Sequence, residues 1–305
     1  MRCRRLFLFL LLLTAGILPR LSPAQDTPGQ DLLQQLNQQV PADSAAPVSA
    51  TFKGTRVING QSVETPKAQV LLFLISHRFG PLNSGAYNFF GLDAATIRLG
   101  LEYGLTDRLA VGIGRSSLEK TFDAFAKYRL LQQQIGAGAV PVSVTLLGTT
   151  ALTSLRYSGP ERPFRTRVAY TAQALVARKV SERLSLQVMP TFIHRNLVNT
   201  PHDQNDVWAL GVAGRQKLTQ RVALTAEYYY VLPGATADDF RNSVGLGFDI
   251  ETGGHVFQLH VTNAQAMIEP LFIPRTSGDF FDGDIYFGFN ISRAFSFAGE
   301  KTRKW

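Results

Sequence analysis

From residue 69 onward, apolar and polar positions alternate with a period of two, the pattern of a strand with two different faces and not that of a helix. The stretch 96–105 is the clearest case. Ile97, Leu99, Leu101, Tyr103 and Leu105 share one face, and Arg98, Gly100, Glu102 and Gly104 share the other. The split recurs where Phe122, Ala124, Ala126 and Tyr128 oppose Asp123, Phe125, Lys127 and Arg129. It returns where Val244, Leu246, Phe248 and Ile250 oppose Gly245, Gly247, Asp249 and Glu251. About twelve strands are predicted, near 69–79, 96–105, 109–115, 120–130, 142–153, 165–178, 184–197, 207–217, 222–231, 242–252, 255–262 and 284–295. Many approach the roughly 9 to 11 residues with which a tilted strand crosses a bilayer.

The connections between these strands sort by parity. Thr106-Asp107-Arg108, Ser181-Glu182-Arg183, Thr219-Gln220-Arg221 and Thr252-Gly253-Gly254 follow even-numbered strands and read as tight turns. Leu131 to Val140 is the longer exception. Odd-numbered strands are followed by longer polar or Pro/Gly-rich segments: Gly80 to Ala95, Ser154 to Phe164, Val198 to Asp206, Leu232 to Arg241 and Asn263 to Gly283, with Ser116 to Glu119 the short exception. Short turns at one rim and long loops at the other are the layout of an outer-membrane barrel. A soluble sandwich also alternates. Glycines on the polar face, and Tyr103, Tyr128, Tyr228, Tyr230 and Trp208 near apolar strand ends, favour the membrane barrel. The expected fold is therefore all-β, a transmembrane antiparallel up-and-down β-barrel.

Composition adds a destination. The longest apolar stretch, Leu6 to Leu18, is too short for the roughly 20 residues of a spanning helix. Arg2, Arg4 and Arg5 precede it and Ser22-Pro23-Ala24 follows, which predicts a secretory signal peptide over residues 1–24. Cleavage there lowers the basic residues from 31 to 27 against 23 acidic ones, and the net charge from +8 to +4. What remains has no basic run with interleaved aromatics and no zinc-finger spacing, so no nucleic-acid partner is expected. The one cysteine, Cys3, falls in the signal. Residues 25–50, rich in Gln, Ala, Pro and Ser, read as a flexible periplasmic lead-in, and residues 51–305 as the barrel.

Several segments together resemble a known group. His77-Arg78-Phe79-Gly80, Phe89-Phe90-Gly91-Leu92-Asp93, Arg98-Leu99-Gly100-Leu101-Glu102-Tyr103-Gly104, Gly114-Arg115-Ser116-Ser117, Lys127-Tyr128-Arg129 and Gly288-Phe289-Asn290-Ile291-Ser292-Arg293 are similar to the β-barrel family called domain of unknown function 5777. The resemblance spans about residues 52 to 297. It implies a bacterial outer-membrane barrel, and it carries no established activity and no ligand residue.

Chemistry is sparse. His260, Asn290 and Ser292 lie on the inward face of the last two strands, but any lumen offers such polar residues, and no catalytic site or enzyme activity is assigned. His202, Asp203 and Asp206, and likewise Asp279, Asp282 and Asp284, form oxygen-rich loops read as solvated carboxylates, with no metal or cofactor assigned.

The lumen is expected to be lined by Arg98, Glu102, Asp123, Lys127, Arg129, Arg167, Glu227, Asp249, Glu251 and His260, a mixture of signs that disfavours strong ion selectivity. Whether it is open or filled is not fixed by the pattern. The loop Asn263 to Gly283 holds an apolar patch, Met267, Ile268, Leu271, Phe272 and Ile273, stiffened by Pro270 and Pro274, and is expected to fold inward across the extracellular mouth. Expected partners are outer-membrane lipid, the outer-membrane assembly machinery and a small polar solute that passes through or binds. A non-conducting structural or partner-binding barrel is the alternative, and an outer-membrane hydrolase drawing on His260, Asn290 and Ser292 is a third reading.

Overall fold

A computed structural model describes residues 45–158, 162–198, 200–252 and 255–297. The expected signal peptide and most of the lead-in lie outside the described residues. Twelve strands form the wall: β1 Val70–Pro81, β2 Ala95–Gly104, β3 Leu109–Ser116, β4 Thr121–Leu131, β5 Ser143–Thr153, β6 Val168–Lys179, β7 Leu184–Arg195, β8 Asp206–Lys217, β9 Val222–Val231, β10 Ser243–Thr252, β11 His255–Thr262 and β12 Tyr286–Ser296. Each pairs antiparallel with the next, and β12 closes on β1 from Tyr286 opposite Pro81 to Ser296 opposite Val70. Closure leaves no unpaired edge, which a hydrocarbon surround demands.

The alternation read from sequence sets the two faces. On β2, Leu99 and Leu101 are 46% and 41% exposed while Arg98 and Glu102 between them are each 1% exposed. Trp208, Tyr128, Tyr228 and Tyr230 also stand on the outer face, near the strand ends where an interfacial girdle belongs. Glycines of the inner face make room for large side chains lying across neighbouring strands. A Cβ on Gly112 would collide with the Phe125 ring, one on Gly114 with the Arg98 guanidinium, and one on Gly211 with Tyr229.

Strand ends lie within three residues of expectation. The start of β6 moves from 165 to Val168, because Phe164–Arg167 forms a 3-10 turn after Pro163. Ala46–Pro47, at the end of the expected lead-in, pairs with Gln134–Ile135 in the connection after β4.

Residues 51–66 are not wall. They enter from the rim of short turns, reverse at Val57–Gly60 and return, with Arg56 bridged to Gln61 and Ser62 N–H donating to the Thr55 carbonyl at 2.9 Å. Val57, Ile58, Asn59, Gln61 and Ser62 are all almost completely buried. From the opposite rim the β11–β12 loop descends through one helical turn, Glu269–Phe272, whose four residues are buried.

Candidate functional site

The lumen is the candidate site, and it is filled by the chain's own N-terminal hairpin. Glu227 on β9 accepts the backbone N–H groups of Ile58, Asn59 and Gly60 at 3.1, 2.8 and 3.1 Å. One carboxylate thus satisfies three donors that the tight reversal leaves without strand partners, in the manner of an anion cradled by a turn. Gly60 is required there because a Cβ would run into the Tyr229 hydroxyl. Around the tip, Arg78 donates to Asn59 Oδ1 at 2.7 Å, Asn290 to the Ile58 carbonyl at 2.8 Å, and Gln258 to the Val57 carbonyl at 2.8 Å.

The hairpin's legs are held by the same kind of contact. Lys127 donates to the carbonyls of Thr55 and Glu64 at 2.9 and 3.2 Å and lies 3.7 Å from Glu102. Gln187 accepts from Val63 N–H at 2.7 Å and donates to the Gln61 carbonyl at 2.8 Å. Arg129 lies 3.6 Å from Glu64, and Lys53 pairs with Glu251 at 2.8 Å. Arg215 on β8 faces Asp249 at 3.7 Å and Glu251 at 3.6 Å. Arg98 binds Asp123 through two hydrogen bonds of 2.9 and 2.5 Å. His260 is buried, and neither ring nitrogen has a hydrogen-bond partner among the described residues.

Of the residues predicted to face the lumen, Arg167 alone sits elsewhere, in the turn before β6 at the mouth. The others face inward, and much of their charge is engaged by one another or by the hairpin. Arg78, Gln187 and Gln258 are lumenal groups that the alternation did not single out, although each lies on the polar face of its strand, whereas Asn290 faces inward as expected. The hairpin itself carries one readable signal, the dipeptide Asn59-Gly60 between Val57-Ile58 and Gln61-Ser62.

Hairpin and loop meet at Arg56, which donates to the carbonyls of Asn59 at 2.7 Å and Met267 at 3.4 Å and lies 3.8 Å from Glu269. Met267, Ile268, Leu271, Phe272 and Ile273 are buried, and Phe272 meets Tyr229 edge-on at 5.1 Å between ring centres. An apolar belt on the inner wall, Leu147, Leu175, Met189 and Ile193, belongs to the same core as Phe52, Val57, Ile58 and Val63 of the hairpin.

The suggested catalytic trio is not assembled: Ser292 stands opposite Val256, two residue pairs beyond Asn290 and Gln258, and four beyond Gly288 and His260. In the first acidic loop, Asp203 turns to Thr200 and Arg195 while Asp206 turns to His194. In the second, Asp284 accepts from Asn83 at 2.6 Å, which holds its carboxyl below the usual range.

The sequence matches the model of the membrane bound beta barrel domain, domain of unknown function 5777, over residues 52–295. The chain belongs to this family. It is thus a membrane-bound β-barrel. No curated protein matches it. Among solved structures, the NanC porin is 9% identical, with a TM-score of 0.46 over 75% of this chain and 100% of that one. The KdgM porin is likewise 9% identical, with a TM-score of 0.45 over 75% and 99%. An outer membrane channel from Pseudomonas putida F1 is 13% identical, with a TM-score of 0.44 over 76% and 97%. The family assignment rests on the sequence match alone.

Proposed function

We propose that this barrel is a gated passage for small polar solutes, that the structure is its closed state, and that residues 51–66 are the gate. The observation that carries this reading is that the wall closes without the hairpin. Every strand of the ring pairs only with its two neighbours in the ring, and the hairpin's two ends both leave at the rim of short turns. Withdrawal toward the periplasm therefore breaks no wall ladder. Its losses are hydrogen bonds and ion pairs that water can replace, each with a net worth of about 0.5–1.5 kcal/mol when neutral, together with the apolar contacts of Phe52, Val57, Ile58 and Val63 against the inner wall.

Withdrawal would leave an interior lined by Arg78, Lys127, Glu102, Glu227 and Gln187, a surface that suits hydrated solutes. The apolar belt from Leu147 to Ile193 favours a second reading, a permanently filled structural barrel, because an emptied lumen would expose it to water. Planar-bilayer recording of the full chain separates the two, with a variant lacking residues 52–65 as the reference for an emptied lumen. A gate predicts transient openings of the full chain toward the conductance of the deletion, and a structural filling predicts a full chain that stays shut.

A further inference from the structure

A second cavity, of about 180 Å³, lies outside the filled lumen at the mouth on the long-loop rim. Its lining brings together four arginines, Arg162 and Arg167 before β6, Arg195 at the end of β7 and Arg275 in the β11–β12 loop. Among the lining residues the one carboxylate is Glu119, in the short link between β3 and β4. These residues lie far apart in sequence and share no strand.

The arginines are arranged rather than merely near. Arg195 is 5% exposed, donates to the Gln204 carbonyl at 2.7 Å and faces Asp203 at 3.6 Å, and its Nε has no partner among the described residues. The Nε of Arg275 is buried and equally without a partner. Its two terminal nitrogens are held by Glu119 at 3.2 and 2.6 Å. Arg162 is stacked on Tyr157, its guanidinium carbon 3.8 Å from the ring centre, and its carbonyl accepts from Arg167 Nε at 3.1 Å. Glu119 and Lys120 both hold φ of 49°, a left-handed conformation that costs non-glycine residues roughly 1–3 kcal/mol each. The fold sustains that strain at the point where Glu119 meets Arg275.

Buried guanidinium donors without acceptors call for one. Planar arginine forks match carboxylate and phosphate oxygens better than any other common ligand. The volume corresponds to the share of about six water molecules in the liquid, too small for a drug-sized ligand.

We propose that this cavity binds a small oxyanion, a carboxylate or phosphate of a few heavy atoms, as the solute recognised at the outer mouth. The assignment of this anion as the transported solute rests on the passage reading, whereas its binding does not. Glu119 occupies Arg275 in the unliganded site, so the anion competes with it. Because Pro270 and Leu271 of the inward-folded loop also line the cavity, occupancy would act directly on that loop.

The test is calorimetric titration of the refolded full chain in detergent at low salt, with inorganic phosphate and separately with succinate. Saturable binding of at least one is expected. Arg162→Ala should weaken it about tenfold or more, since a charge-assisted hydrogen bond is lost. Glu119→Gln should strengthen it severalfold by freeing Arg275. These opposite signs in two heat-modifiable, folded variants are not produced by a structural role. No saturable binding of either anion, or affinity unchanged in both variants, would overturn the site. Binding of lipid A micelles without binding of the free anions would overturn the solute assignment in favour of a lipid phosphate. Anion binding by a full chain that never opens in planar bilayers would remove the passage reading and leave the site standing.

Discussion

Glu227 shows at the scale of one residue how this lumen is held. A buried carboxylate is costly unless it is hydrogen-bonded, and here three backbone donors of the hairpin tip supply the bonds. Glu227→Ala strips all three donors of their acceptor. Amide exchange at Ile58, Asn59 and Gly60 should then accelerate by about two orders of magnitude, on the order of 3 kcal/mol, with the wall amides unchanged. Unchanged protection at the tip would mean that Glu227 does not anchor it. The opposite face obeys a different solvent. Leu101 and Leu246 are 41% and 43% exposed on the outer wall, and Leu101→Arg or Leu246→Arg should cost about 2–4 kcal/mol in lipid-based unfolding titrations. The inward Gln173→Arg should also be costly, because Gln173 is 4% exposed and donates to Thr191 at 2.7 Å inside a filled lumen.

At the scale of elements, the wall was legible in the sequence and the hairpin was not. Each wall strand has one face in lipid and one in the lumen, so its own residues record both environments, as Ile97 to Tyr103 do. The hairpin's surroundings are supplied by β1, β4, β5, β7, β9, β10, β11 and β12, and all of these but β1 lie far from it in sequence. Its mixed run, Thr51 to Thr65, buries polar groups by pairing them with distant side chains, which leaves no periodic trace. The β11–β12 loop was legible because its apolar patch had no reason to stand in water. Deleting Met267 to Pro274 should raise conductance further in a chain already lacking the hairpin, with heat-modifiability retained. An unchanged conductance would show that the loop does not obstruct the passage. The same loop is clasped to the first one through Asn83 and Asp284. Since that bond lowers the Asp284 carboxyl below its usual range, the clasp is present above the ordinary carboxylate pKa and is lost as pH falls through the depressed value. Proteolysis of the β11–β12 loop should accordingly increase in strong acid, an increase that Asn83→Ala abolishes by loosening the loop at neutral pH.

At the scale of the molecule, two constructions share one chain. The wall is a closed ladder to which no other element adds a strand, and the filling is a hairpin from one rim meeting a loop from the other at Arg56 and Glu269. This separation is what a gate requires, and a permanently filled barrel has no need of it. The most direct test uses Asn59 at the hairpin tip and Thr262 on the wall, whose side chains meet at 3.2 Å. Asn59→Cys and Thr262→Cys, in a chain whose native cysteine is Cys3 alone, can be joined by a short reducible bis-thiosulfonate linker. Single-channel recording then compares the crosslinked and reduced forms of one preparation. Openings that vanish on crosslinking and return with reductant are the predicted result. The same conductance in both forms, or silence in both, would contradict a hairpin that opens the lumen by leaving it.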